Sequence, residues 1–494
     1  MSRYVLALDQ GTSSSRAVLV DHAGEIAGIA SRPLTSSHPA AGAVEQDPAE
    51  IWATTAASMH EVLKRAGVSA SDLAAVGVTN QRQTTVPWRR STGEPLGPAM
   101  VWQSRASEPQ CERLRGAGHA SRIEEVTGLP VDPCFTATKI QWLLENNPPY
   151  RDLAAAGDVV FGTVDAWLIA NLTGGAVVAT DASNASGTML YNLRSGDWSD
   201  ELLDLYGVER AWLPEVRPSS GVFGTTTADV LGAAIPVAGV AGDQQAALFG
   251  QCCTREGEAK TTFGTGAFFL MNAGREVPPA GRGLLTSVAW DLGDGPEYAA
   301  EGFIMSACTT FHWLSDRLGF ADSPQAFEAL AAGVPSSNGV SIVPAFSGLA
   351  APHWRPDTRA TLTGVTAGVG RGELARAAYE CVAHQVCDVL AITDNLPTAD
   401  ISELRADGGA ANSDLLMQLQ ADLSGRPVVR PTVTEATARG AAFLAGLAVG
   451  FWSGAEELRC LWRVDRRFEP SMPAADRGQL RGQWAKAVRQ CLTE

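Results

Sequence analysis

One local pattern occurs twice in this chain and constrains its fold more than any other feature. LALDQGTSS (residues 6–14) and TTFGTGAFF (residues 261–269) each read as an apolar run, a small Gly/Thr turn and a second run. Each half also carries an apolar run that passes through glycine into a helix: VAGVAGDQQAALFG (237–250) and LRADGGAANSDLLMQL (404–419). The likeness is one of type, with no repeat at fixed period. It predicts two lobes on one plan with a cleft between them, divided as residues 1–250 and 251–494. The length of 494 residues accommodates two large domains.

The first residues read as an antiparallel meander. Residues 4–8, 17–20 and 26–30 are apolar, and DQGTSSS and DHAG are the turns between them. A helix follows. Asp47 suits its cap, Pro48 its first turn, Glu50 the far side of a capping box, and Gly67 its stop. Residues 73–78 are again apolar and end in the polar string TNQRQT. Strands mixed with helices, with polar clusters at strand ends, predict an α/β fold whose ligands sit at those ends.

Charge narrows the partners. Lys and Arg number 38 against 54 Asp and Glu, a net charge of −16, which argues against a surface that tracks nucleic acid. A small anion is still permitted, because turn N–H groups bind phosphate locally. The longest apolar stretch, residues 440–454, is too short for a membrane span, which needs about 20 residues. The N-terminus lacks a secretory h-region, and a cytoplasmic enzyme is expected. The nine cysteines contain no CxxC pair, which suits reduced buried thiols better than a disulfide framework or a zinc site.

Several short segments have chemical potential. In DQGTSSSR (residues 9–16), turn N–H groups and hydroxyls suit phosphate oxygens, Asp9 suits a magnesium ion, and Arg16 suits a phosphate. An ordinary hairpin explains the same residues. FGTGAF (263–268) and DGGA (407–410) are further sites of close backbone approach. Asp243 opens a helix, where it serves either as a cap or as a general base toward a hydroxyl. TNQRQTT (79–85) offers hydroxyl-binding side chains and Trp102 an aromatic wall. No P-loop, dinucleotide fingerprint, hydrolase elbow or HExxH motif is present.

Taken together, DQGTSSSR, TNQRQTT, VWQSRAS, FGTVDAWL, AGDQQAALFGQ, FGTGAFFLMN, VPAFSGLAAPHW, DGGA and GAAFLAGLAVGFW resemble, in order, the motifs of FGGY carbohydrate kinases. The glycerol-kinase branch is the most similar, and the resemblance runs from about Tyr4 to about Phe468. It implies two actin-like, ribonuclease H-like lobes with ATP in the cleft and a small polyol bound deeper, and a homo-oligomer, dimer or tetramer. By position, Asp243 would be the base, and Asp9, with Asp243, would hold Mg2+. Thr12, Ser13, Ser14, Arg16, Gly264 and Thr265 would meet phosphates, and Gly408 and Gly409 would lie beside the adenosine. Arg82, Trp102, Gln244 and Phe268 would line the polyol pocket.

The chain departs from that branch at identifiable places. Gln83 stands where a Glu is usual and Cys134 where a Tyr is usual, both against the polyol. Lost charge weakens hydrogen bonds, and a lost ring leaves room for a four- or five-carbon polyol or ketose beside the expectation of glycerol. Cys308, His312 and Ser413 replace Gly, Gln and Asn on the nucleotide side. TTADVLGAAIP (226–236) lacks the Gly-Gly-Thr-Arg loop that binds fructose bisphosphate, so inhibition by that sugar phosphate is not expected. A different class, an actin-like ATPase without a sugar substrate, shares the phosphate turns but has no use for Arg82, Trp102 and Asp243 together.

Overall fold

The computed structural model describes residues 3–279, 281, 283–397 and 401–492. Strand β1, Tyr4–Gln10, is buried on both faces beyond its first residue, as a central strand covered by helices must be. It pairs antiparallel with β2, Ser14–Asp21, which pairs antiparallel with β3, Ile26–Pro33, so the expected meander forms. On its other edge β1 runs parallel to β4, Leu73–Asn80. Strands β5, Ser220–Thr225, and β6, Pro236–Gly242, complete a six-stranded sheet of order β5-β6-β4-β1-β2-β3.

The second sheet repeats this plan. Its strands are β7 (Ala259–Phe263), β8 (Ala267–Gly274), β9 (Leu285–Asp291), β10 (Pro296–Ile304), β11 (Leu404–Asp407), β12 (Val428–Pro431) and β13 (Val464–Phe468). Their order is β9-β10-β8-β7-β11-β12-β13. The hairpin β7–β8 matches β1–β2, and the parallel neighbours β11 and β12 match β4 and β6. Strand β9 is an addition at one edge.

Helix α1, Pro48–Ala66, begins and ends as expected: Asp47 accepts from the Ala49 N–H, and Gly67 takes the left-handed cap conformation at φ 63°. The capping box does not form. Glu50 Oε1 instead accepts from the N–H and hydroxyl of Thr35 at 3.2 and 2.9 Å, donors supplied by the chain leaving β3. The other helices that frame the site are α2 (Thr136–Asn146), α3 (Asp243–Gly250), α4 (Arg371–Thr393), α5 (Asp414–Ser424) and α6 (Ala436–Ala448).

Helix α6 comes late in the chain yet packs on the first sheet. A Cβ on Gly77 of β4 would stand 2.3 Å from the Ala441 carbonyl oxygen, so the bare glycine admits the helix backbone. Helices α3 and α6 cross as closely: a Cβ on Gly440 would lie 1.8 Å from the Ala246 oxygen. Buried Arg439 donates to the Gly250 oxygen at 2.7 and 3.1 Å, placing a cation at the negative end of α3. A shared core joins Val5, Ala7 and Val18 of the first sheet to α6 and to Leu270 and Trp290 of the second. All nine cysteines are free thiols, and among the described residues no helix is long and apolar enough to cross a membrane.

Candidate active site

Two carboxylates stand at the carboxyl ends of parallel strands. Asp9 ends β1, opposite Thr79 on β4 and Arg16 on β2, and Asp243 opens α3 directly after β6. Burial pushes the Asp9 carboxyl up to about 6; Arg16 opposes the rise, and Asp243 and Glu435 add to it. Burial also raises Asp243, while Arg82 and Lys260 pull it down and its own carboxylate accepts from the Gln244 N–H at 2.8 Å. Asp9 feels the charge of Asp243, and among the described residues it is set by burial and neighbouring charges without a hydrogen-bond donor. A buried acidic pair with an undonated carboxylate fits a divalent cation, which would relieve the repulsion. Among the described residues no group of three or more His, Cys, Asp or Glu is placed to hold a metal.

The first Gly/Thr turn closes with the Gly11 N–H on the Ser14 oxygen at 2.9 Å. The Thr12 hydroxyl accepts from Trp102 Nε1 at 2.8 Å, which joins the turn to the aromatic wall. Ser13 is exposed, and Ser14 and Arg16 lie in β2. Arg16 is paired with Glu435 at 2.9 Å and is 41% exposed, so this expected phosphate ligand already has a partner. In the second turn the Gly264 N–H bonds to the Gly266 oxygen, while the Thr265 oxygen accepts from Ala307 and Thr309 and its side chain is exposed. Gly408, at φ 84°, approaches this turn so closely that a Cβ would stand 2.6 Å from the Phe263 oxygen; Gly409 faces open space.

The expected polyol residues gather on one side. Arg82 is buried and bonded through both terminal nitrogens to Glu301 of β10, at 3.0 and 2.5 Å. Gln83 has φ 63°, an uncommon conformation for a residue with a side chain. Phe303 bridges two expected wall residues: it packs edge-on against Trp102 at 5.9 Å and stacks on Phe268 at 5.0 Å. Gln244 Oε1 accepts from buried Lys260 Nζ at 2.7 Å, and Lys260 also donates to Thr262, which donates to Asp407. The backbone oxygens of Gln83 and Cys134 both accept from Lys139.

Glu301, Lys139, Lys260 and Phe303 were not legible as site residues in the sequence. Three of them carry a signal in hindsight, a charged side chain within a strand or helix that is otherwise mostly uncharged and buried. On the nucleotide side, the His312 N–H bonds to the Cys308 oxygen at 3.3 Å, and Tyr379 interacts with both Ser413 and Cys308. Cys308 is buried in the second lobe's core, where burial pushes its thiol up to about 12. His312 is exposed, 3.8 Å from Asp316. Ser413 caps α5 through the Leu416 N–H and donates to Glu328 at 2.9 Å.

Comparison with known proteins agrees with this architecture. Residues 4–250 match the N-terminal domain, and residues 259–449 the C-terminal domain, of the FGGY family of carbohydrate kinases. The chain is 52% identical over 487 residues to a glycerol kinase of Aromatoleum aromaticum, covering 99% of this chain and 98% of the relative. It is 49% identical to a glycerol kinase of Deinococcus radiodurans, covering 98% and 97%. A solved Plasmodium falciparum glycerol kinase with ADP superposes with a TM-score of 0.92 at 32% identity, covering 100% of this chain and 99% of that one. A xylulose kinase from Rhodospirillum rubrum gives 0.87 at 26% identity, covering 99% of each. A two-lobed fold with paired acids at the strand ends and glycine turns on both sides defines a sugar-kinase-like phosphotransferase. The chain belongs to the FGGY family of carbohydrate kinases, which use ATP.

Proposed function

We propose that the chain transfers the terminal phosphoryl group of ATP to a primary hydroxyl of glycerol, giving glycerol 3-phosphate. The near-complete coverage at about half identity to two glycerol kinases supports the substrate. The observation that carries the chemistry is Asp243, a buried carboxylate at the start of α3 within electrostatic reach of Arg82, Lys260 and Asp9. In this reading Asp243 orients the attacking hydroxyl and takes its proton. Arg82, Gln83, Trp102, Cys134, Gln244 and Phe268 surround the polyol, and Lys260 holds the Gln244 oxygen so that its NH2 faces Asp243 with a second hydrogen to offer a hydroxyl.

Residues 1–250 supply the polyol pocket, the base and the first phosphate turn, and residues 251–494 the second turn and the adenosine side. Thr12, Ser13, Ser14, Gly264 and Thr265 offer hydroxyls and N–H groups to phosphates, and Gly408 and Gly409 leave room for the nucleoside. Arg16 joins them on leaving Glu435, and Cys308, His312 and Ser413 stand on the base and ribose side. Asp9 and Asp243 would hold Mg2+, which neutralises phosphate charge when bound. Positive potential in this acidic protein is thereby local to the cleft. The test is ATP consumption by the full chain with no polyol and with glycerol, erythritol, ribitol, xylitol and xylulose. Highest turnover per unit concentration on glycerol is expected; a longer polyol or ketose ahead of glycerol would overturn the substrate, and turnover without polyol the kinase reading.

A further inference from the structure

We infer that Lys139 is a positioning residue that shapes the polyol pocket by fixing two of its walls at once. The inference rests on the kinase reading above and deepens it. Lys139 lies on α2 with no exposed surface, and its ammonium donates to the Gln83 oxygen at 3.0 Å and the Cys134 oxygen at 2.7 Å. Those are the two pocket positions at which this chain departs from the glycerol-kinase pattern.

The anchoring is through main chain, so it sets where each side chain starts regardless of what that side chain is. At Gln83 it has particular force. The residue sits at φ 63°, and a side-chain-bearing residue keeps that conformation only where its surroundings hold it. The Gln83 oxygen is held from α2 by Lys139 and by the Thr136 hydroxyl at 3.2 Å, and locally by the Thr85 hydroxyl at 3.3 Å. On the other side of the residue its amide faces Gly187, which has no side chain to hold it there; a Cβ would stand 3.2 Å away.

A buried ammonium is costly unless it is used. Among the described residues no carboxylate bonds to Lys139. Burial lowers it to about 8, and the groups that oppose the fall are Cys134, Asp132 and Cys111, with Arg82 also facing Cys134. The charge is therefore balanced mainly by the two carbonyl oxygens that it positions. Loss of the proton in mildly alkaline solution weakens both bonds, since an uncharged amine is a poorer donor than an ammonium.

The experiment compares wild type, Lys139→Met and Thr136→Val as full chains, with glycerol and ATP varied separately and glycerol kinetics repeated below and above the titration at about 8. Lys139→Met is expected to raise KM for glycerol about tenfold while leaving KM for ATP within about twofold. Wild-type KM for glycerol should climb as pH passes through that titration, and the Met variant's should stay flat. Thr136→Val removes the hydroxyl from the same carbonyl without touching the charge, and should raise KM for glycerol less, with the wild-type pH profile kept. An unchanged KM for glycerol in Lys139→Met, or an equal rise for ATP, would overturn the inference. Should Lys139→Met not fold, Thr136→Val and the wild-type profile decide: no change in either overturns it. Absence of polyol-dependent ATP consumption in wild type would overturn the kinase reading instead.

Discussion

Arg82 of the first lobe and Glu301 of the second are joined by a two-pronged ion pair in which both side chains are under a tenth exposed. Glu301 takes two further donors, Gln245 Nε2 at 2.9 Å and the Ser287 hydroxyl. An arginine expected to face the polyol is thus oriented by a strand of the second sheet.

Removing the acid isolates the base. Glu301→Ala leaves Arg82 buried without a counter-charge, along with two other donors, and should destabilise the protein by about 3–5 kcal/mol. Glu301→Gln keeps the shape and some acceptor capacity and should cost less, with a raised KM for glycerol. Urea denaturation of the three proteins, with kinetics on those that fold, measures both effects.

Asp243→Asn tests the proposed base directly. The amide keeps the acceptor for the Gln244 N–H but cannot take a proton. The expected loss in kcat is about 10²–10⁴-fold, with KM for glycerol changed much less. A variant that retains most of its kcat would move the proton acceptor elsewhere.

The Asp9 environment makes stability depend on pH. Its carboxyl stands at about 6 in the folded protein against the ordinary 3.8, so the folded state binds the proton more tightly. That contribution is present below about pH 4 and lost as pH rises through 6, at most about 3 kcal/mol by neutrality. Asp9→Asn should therefore be the more stable protein near neutral pH, by an amount that shrinks in acid, while losing activity. Thermal melts across pH check the sign. Magnesium that relieves the same repulsion should raise the wild-type midpoint and leave the variant's unchanged.

Much of this arrangement could be read from local pattern, and the remainder could not. Asp9, Gly264 and Gly408 were placed at strand ends because apolar runs and turn residues mark such ends within a few positions. Glu301, Lys139 and Lys260 act through partners far away in the chain, and no local spacing names those partners. Arg16 shows the converse: its place in β2 was legible, but its pairing with Glu435 depends on where α6 begins in space. The spacing of Glu50 suggests half of a capping box, but the competing donor, Thr35, lies just past β3, where no local spacing reveals it.

The crossing of α3 and α6 carries the last prediction. Gly440 and Gly250 let the two helix backbones touch, and a Cβ at Gly440 would meet the Ala246 oxygen at 1.8 Å and the Gly250 nitrogen at 2.9 Å. Both obstacles are backbone, so no side chain can swing aside to make room. The same α3 begins with Asp243 and Gln244, and the start of α6 lies beside Glu435, the partner of Arg16. Gly440→Ala must then push the helices apart, at a cost of about 1–3 kcal/mol or more. Because α3 carries the proposed base, the displacement should lower kcat beyond what stability loss explains. Folded fraction and kcat per folded molecule, measured at one temperature well below the midpoint, separate the two effects. A variant with wild-type kcat per folded molecule would mean that α3 tolerates the shift and that the close crossing serves stability alone.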